Sequence, residues 1–153
     1  MGDFGIDFAV DATFLLPLNE RLERLGIRCY VTPGNHENYD RIAALPLITE
    51  GEDAGWLRLA SNVLVAPRGL RWLWHGVRFA SLGGGNSINR YDLTPHVDWW
   101  AAEAISQGDL YTVEAGVAEH GVADVMIAHV APAVAEYDLH LSLIHISEPT
   151  RPY

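Results

Sequence analysis

The sequence predicts an α/β fold built as one domain. Short, β-rich apolar runs alternate with stretches in which apolar residues recur at helical spacing, a pattern typical of α/β proteins. Clusters of glycine, proline and asparagine separate these stretches and mark the loops. The chain has 153 residues, of which 49% are hydrophobic. That is enough for one domain with its own core, but too short for two.

The first predicted element is a helix that ends at Gly26. Apolar residues recur at helical spacing from Phe14 to Leu25, and glycine is expected just after a helix end. Because proline removes a backbone donor from a helix interior, Pro17 predicts that the regular helix starts around that residue rather than before it.

A buried strand and a short second helix are predicted next. Residues 27–32 are a β-rich run, and it ends in a proline, glycine and asparagine loop at residues 33–38. A short helix is predicted through Ile42 and Leu45, where Pro46 halts it. This order places a polar loop at the carboxyl end of a strand, where the sites of open α/β sheets gather.

The middle of the chain predicts an antiparallel meander followed by a flexible loop. Residues 63–65, 71–74 and 77–82 predict three strands, with turn residues between them. Residues 83–87, which include three successive glycines, predict the flexible loop.

Two helices and a last strand complete the prediction. Helical patterns occur around residues 99–106 and 110–120. Residues 124–128 predict a further apolar strand, which ends at His129. Four tryptophans are interpreted as packing residues rather than as a stacking platform, namely Trp72, Trp74, Trp99 and Trp100.

Composition excludes several classes of protein. The formal net charge of −10 argues against a general nucleic-acid binder, because phosphate backbones select for a basic face. The same charge is compatible with a phosphate-processing enzyme whose metal ions supply local positive charge. No apolar run approaches the roughly 20 residues that cross a bilayer. Cys29 is the single cysteine, which favours a cytoplasmic location.

Three polar positions follow strands, or an expected strand, although they lie far apart in the sequence. They are Asp3 after Gly2, Asn35 after Gly34, and His129. Because sites gather outside the carboxyl ends of strands, we expect these side chains to converge. A carboxylate, an amide and an imidazole are suitable ligands for Mn, Fe, Zn or Ni. Paired cations about 3.5–4 Å apart need such a carboxylate as a bridge.

These motifs resemble the paired signature of the calcineurin-like metallophosphoesterases. The Gly2-Asp3 pair precedes Gly-Asn-His-Glu at residues 34–37, and residues 128–132 resemble the family's next histidine motif. Residues 79–87, with Glu103 downstream, resemble a bacterial and phage branch of the same family. The resemblance covers most of residues 1–132 and implies an αββα sandwich of two mixed sheets flanked by helices.

The resemblance also implies a reaction and a role for each site residue. The reaction is hydrolysis of a phosphomonoester or phosphodiester by a water that two divalent metal ions activate. Asp3 would bridge both metals, while Asn35 and His129 would ligate the second. His36 would act beside the leaving group as general acid or transition-state stabiliser. Arg90 would clamp the substrate phosphate, with a solvated surface arginine as the alternative.

The sequence also departs from the family pattern. It lacks the Asp-x-His pair upstream of Gly2-Asp3 and the Gly-His-x-His motif near the domain end, and Asn89 stands where an acidic residue is expected. We therefore expect an inactive fragment of an active parent enzyme. Residues 1–140 are expected to be a partial domain, incomplete at both ends, and residues 141–153 a non-native tail that resembles translated sequencing adapter.

Two other interpretations remain open at this point. A non-catalytic binding module would keep the fold but lack a complete metal site. A structural α/β domain with a fortuitous Gly-Asn-His-Glu loop would place Asp3, Asn35 and His129 far apart. Glu37 is interpreted as a carboxylate that braces its loop. The expected partner is a phosphate ester of unspecified type. Nucleic acid is expected only as a substrate, and no association with a membrane is expected.

Overall fold

The computed structural model describes residues 3–7 and 12–130 of the chain. Its helices are α1 (Ala12–Leu25), α2 (Tyr39–Ala43) and α3 (Gln107–His120), and its strands are β1 (Cys29–Val31), β2 (Leu57–Ala60), β3 (Val63–Val65), β4 (Arg71–Trp74), β5 (Val77–Leu82) and β6 (Val125–Ala128). The mixture of helices and strands that the sequence predicts is therefore confirmed. Gly2, the residues 131–132 of the third motif and the expected tail 141–153 lie outside the described residues.

The strands form two mixed sheets of three strands each. In the first, β3 is central and pairs with β1 in parallel and with β2 in antiparallel orientation. In the second, β5 is central and pairs antiparallel with β4 and parallel with β6. Among the helices of these residues, none has the length and apolar content of a bilayer-spanning segment.

The predicted antiparallel meander is wrong, because β3 belongs to the first sheet and β4 and β5 belong to the second. Only β4 and β5 form a hairpin, whereas β3 pairs with β1 and β2. The segment after β3 leads the chain from one sheet to the other. There, Gly69 N donates to the Ser81 carbonyl (2.8 Å), and Ser81 Oγ donates to the Pro67 carbonyl (2.6 Å). The strand β2 was not among the predicted elements.

The first sheet has an apolar core on each face, because neighbouring side chains of a strand point to opposite faces. On one face, Val31, Val63 and Val65 are buried together with Ile42 of α2. Partly buried side chains of α1 pack against the same cluster. The opposite face carries Leu64, which is 1% exposed.

An aromatic cluster joins the two sheets on the Leu64 face. Its rings belong to Tyr30, Trp56, Trp72, Trp74 and Phe79. Trp72 and Phe79 are stacked with centroids 5.4 Å apart, and Tyr30 and Trp74 meet edge-on at 4.9 Å. The interpretation of Trp72 and Trp74 as packing residues is therefore confirmed.

Two helix predictions are wrong in their extent. The helix α1 begins at Ala12, so that Pro17 lies inside it. Pro17 lacks a backbone N–H, and it lies near the start of α1, where the missing donor disturbs the helix less than it would in the interior. The predicted helix around residues 99–106 is only a 3₁₀ turn at residues 101–103. The turn ends at Ala104, whose backbone is extended, and Trp100 and Glu103 are both buried.

Candidate metal centre

The three predicted ligands lie together. His129 Nε2 is 3.0 Å from Asn35 Oδ1 and 3.5 Å from Asp3 Oδ1. Asn35 belongs to the loop that follows β1, and His129 directly follows β6. The cluster therefore lies where the carboxyl end of β1 in the first sheet meets the carboxyl end of β6 in the second. Each of these strands pairs in parallel with the central strand of its own sheet. This convergence contradicts the alternative of a structural domain, which required the three residues to lie far apart.

Close backbone approach places Asp3 at the cluster. The backbone φ of Asp3 is 58°, which is unusual for a residue other than glycine. Its Oδ1 accepts a hydrogen bond from the backbone nitrogen of His36 (3.1 Å). A Cβ on Gly34 would overlap the carboxylate and the backbone nitrogen of Asp3. Glycine at position 34 is therefore a condition for the contact between the two segments.

A buried carboxylate fastens the Asp3 segment to the same loop. The side chain of Glu37 is 0% exposed. Its Oε1 accepts from the backbone nitrogen of Phe4 (2.6 Å), and its Oε2 from that of Ile6 (2.7 Å). Burial raises the pKa of Glu37, and these backbone hydrogen bonds oppose that rise. The contacts are those expected of a loop-bracing residue.

The glycine-rich loop at residues 83–87 is packed rather than flexible, which corrects the prediction. Gly84 N donates to the Pro33 carbonyl (2.8 Å), and Gly85 N donates to the Glu103 carbonyl (2.9 Å). A Cβ on Gly83 would lie 2.6 Å from the Pro33 carbonyl oxygen. The glycines thus allow one loop to lie directly on the loop that carries Asn35.

A second buried carboxylate reaches Asn35 through a serine. Asn35 Nδ2 donates to Ser87 Oγ (3.0 Å), and Ser87 Oγ donates to Glu103 Oε2 (2.9 Å). The backbone nitrogen of Ser87 donates to Glu103 Oε1 (2.5 Å). Sequence reasoning missed this connection, because its members lie 52 and 16 residues apart. The available signal was a glutamate inside an otherwise apolar segment.

Arg68 holds the loops around the site together. Its guanidinium donates to the carbonyl oxygens of Gly83, Ala102, Glu103 and Ala104 and to the Asp109 carboxylate. The same group lies 5.2 Å from the ring centroid of Tyr39. The Tyr39 hydroxyl donates to the Gly34 carbonyl (2.7 Å). Burial is the main cause that raises the pKa of Tyr39 to about 12, so this hydroxyl stays a donor at neutral pH.

The remaining predicted site residues lie at the edge of the cluster or beyond it. His36 is exposed, and its backbone nitrogen contacts Asp3. Arg90 makes its polar contacts with its neighbour Tyr91, whose ring centroid is 4.7 Å away and whose hydroxyl accepts a bond of 3.0 Å. The structure therefore brings Asp3, Asn35 and His129 together and does not bring Arg90 to them.

The donor chemistry fits part of the coordination shell of one divalent cation. A carboxylate oxygen of Asp3 and the amide oxygen of Asn35 both lie within 3.5 Å of the imidazole nitrogen His129 Nε2. Such mixed oxygen and nitrogen sets suit Mn, Fe, Zn or Ni. In the described ranges no group of three histidine, cysteine or acidic side chains could hold a metal ion. A second cation thus finds no complete ligand set among these residues.

The chain was also compared with known proteins. The family model described as calcineurin-like phosphoesterase matches residues 1–142. No match was found among curated proteins or among solved structures.

Proposed function

The chain belongs to the calcineurin-like phosphoesterase family, and we propose on that premise that its parent enzyme hydrolyses phosphomonoesters or phosphodiesters with divalent metal ions. The observation that supports this proposal best is the meeting of Asp3, Asn35 and His129 at the carboxyl ends of strands from two sheets. The complete architecture under this proposal is the αββα sandwich, and the site of action is the cytoplasm.

Under this proposal the three clustered side chains hold a divalent cation. A bound cation of this kind supplies Lewis acidity and neutralises charge on the phosphate. Because the formal net charge of the chain is −10, a bound cation would offset part of the repulsion of an anionic phosphate. Buried Glu37 keeps the Asp3 segment against the Asn35 loop. The ligands are therefore positioned before a cation arrives, which lowers the entropic cost of binding it.

Two further side chains act on the substrate itself. The exposed imidazole of His36 follows Asn35 directly and gives a proton to the leaving-group oxygen as general acid. Arg90 binds a phosphate oxygen pair through its planar fork after it leaves the Tyr91 ring. His36 directly follows Asn35, and Arg90 lies three residues after Ser87, the hydrogen-bond partner of Asn35. These positions in the chain, close to the cluster, motivate both assignments.

One observation favours a second candidate, a module that binds a cation without turnover. The described residues contain no group of three histidine, cysteine or acidic ligands. The two candidates agree on cation binding and differ in catalysis. They are therefore separated by measuring binding and turnover on the same samples.

The test begins with Mn²⁺ titration of the 153-residue chain by calorimetry. We expect saturable binding that weakens at least about tenfold in Asn35→Ala and His129→Ala. The matched control is Asn89→Ala, which removes an exposed amide outside the cluster and should bind as the wild type does. Absence of Mn²⁺ binding, or equal binding by Asn35→Ala, would contradict the site.

Turnover is measured with a p-nitrophenyl phosphate monoester and with its bis-ester, in Mn²⁺. If the enzyme assignment is right, His36→Ala of an active parent keeps Mn²⁺ binding and loses about 10²- to 10⁴-fold in rate. Unchanged rates in the His36→Ala variant of an active parent would contradict the role of His36 as general acid. Binding of Mn²⁺ without turnover, in the parent as well as in this chain, selects the second candidate.

A further inference from the structure

Asn35 has two chemically different ends, and only its oxygen can ligate a cation. We propose that Ser87 and Glu103 form a hydrogen-bond relay that fixes the Asn35 amide with Oδ1 toward His129 and Asp3. This inference deepens the proposed function and rests on it for the role of Oδ1. The two relay residues are positioning residues, because they act on the cation only through Asn35.

The direction of the relay follows from the number of hydrogens that each group carries. An ionised carboxylate accepts hydrogen bonds and donates none. Both oxygens of Glu103 accept from Ser87, one from its backbone nitrogen and one from its hydroxyl. The hydroxyl has a single hydrogen, which is directed to Glu103. Its lone pairs remain for Asn35, so the group that faces Ser87 must be the NH₂ of the amide.

Burial makes this constraint stringent. Ser87 is 3% exposed and Glu103 is 1% exposed, so water cannot readily replace a missing partner. The backbone of Glu103 is held as well, since its carbonyl accepts from Gly85 N (2.9 Å) and from Arg68 (2.7 Å). The relay is therefore anchored at its far end, and rotation of the Asn35 amide would place two acceptors against each other.

The relay also explains why an amide, and not a carboxylate, suits position 35. In an Asn35→Asp variant, an oxygen would replace Nδ2 and would face the lone pairs of Ser87. Two carboxylates would then compete for the one hydroxyl hydrogen. Glu103→Gln relieves this conflict, because a glutamine amide can accept from Ser87 N and donate to Ser87 Oγ. The hydroxyl hydrogen then becomes available to the new carboxylate at position 35.

The experiment is a double-mutant cycle read out by Mn²⁺ affinity. Each single variant, Asn35→Asp and Glu103→Gln, should bind Mn²⁺ about 10- to 100-fold more weakly than the wild type. The double variant should return to within about threefold of the wild type. The matched control is Glu114→Gln, an exposed glutamate of α3, which should not rescue Asn35→Asp. Losses that multiply in the double variant overturn the relay, because independent sites are additive in free energy.

A second readout needs no cation. In the metal-free wild type, one side-chain amide hydrogen of Asn35 should be protected from exchange in ¹⁵N-resolved NMR spectra, and Ser87→Ala should remove that protection. An unprotected Asn35 amide in the wild type overturns the relay. If the wild type binds no Mn²⁺ but shows the protected amide, the proposed function fails while the relay stands. Thermal melts of each variant separate these effects from unfolding.

Discussion

At the scale of single residues, the site depends on glycines that let backbone segments touch. Gly34 lies against Asp3, and Gly85 lies so close to the site that an added Cβ would be 2.9 Å from Val130 Cγ2 and 3.4 Å from His129 Cδ2. Neither glycine has a positive φ. Their role is therefore steric rather than conformational: the backbone of Asp3 excludes alanine at position 34, whereas at position 85 the side chain of Val130 would have to shift.

Gly34→Ala tests this steric role. The added methyl group overlaps Asp3, so we expect destabilisation by about 1–3 kcal/mol, typical of overpacking, together with loss of Mn²⁺ binding. Urea denaturation and calorimetry measure the two effects. Gly108→Ala is the matched control, since its Cβ would meet only Ser106 Oγ at 3.6 Å inside α3. A Gly34→Ala protein as stable as that control would contradict the steric argument.

The clustered residues could be predicted from the sequence, whereas their supports could not. Asn35 follows β1 and His129 follows β6, and strand ends are visible as local patterns, while Asp3 was predicted from its glycine–aspartate pair. Ser87 and Glu103 have no such signature, because a buried hydrogen bond between loops depends on distant parts of the chain. Only the completed fold shows which polar side chains it buries together.

At the scale of elements, strand β6 delivers His129, and an ion pair between Arg78 and Asp124 adds to its parallel pairing with β5. The Asp124 carboxylate accepts from the backbone nitrogen of Arg78 (2.9 Å) and from its guanidinium (2.8 Å). The hydrogen bond from the Arg78 side chain is the largest cause that lowers the pKa of Asp124 to about 2. The pair lies at the start of β6, where the parallel pairing with β5 begins.

This ion pair predicts a specific loss of stability in acid. The folded pKa of Asp124 lies below the unfolded value of about 3.9. The contribution of this ion pair to the free energy of unfolding is therefore present above pH ~4 and is lost as the pH falls toward ~2. Urea midpoints measured by tryptophan fluorescence should fall more steeply over this range in the wild type than in Asp124→Asn. Parallel curves for the two proteins would contradict the prediction, and Asp92→Asn serves as an exposed carboxyl control.

Arg68 is the corresponding support for the loops between elements. Because its guanidinium serves four carbonyl oxygens and a carboxylate from one half-buried position, a lysine cannot replace its planar fork. We expect Arg68→Lys to lower the free energy of unfolding by about 2–4 kcal/mol, since buried acceptors lose their donors. The matched control is Arg58→Lys, at an exposed position of β2. Equal urea midpoints for the two variants would contradict this role.

At the scale of the whole molecule, two small sheets meet through an aromatic cluster and end at one shared site. The sequence predicted the class of fold, because most strands and helices carry a local pattern, although β2 was not predicted. It did not predict which strands share a sheet. That partition depends on long-range pairing, such as Val31 with Val65 and Leu82 with Ala128, and on rings from distant segments that pack between the sheets.

The position of the site at the junction of both sheets leads to a last prediction, which rests on the proposed function. A cation held by Asn35 after β1 and His129 after β6 connects the two sheets, so it should stabilise both together. At a Mn²⁺ concentration of 100 times Kd, the expected gain is about 2.7 kcal/mol. Amide hydrogen exchange should slow in both β1 and β6. In His129→Ala the protection of β6 should no longer respond to Mn²⁺. Protection confined to β1 in the wild type would show that the cation does not join the sheets.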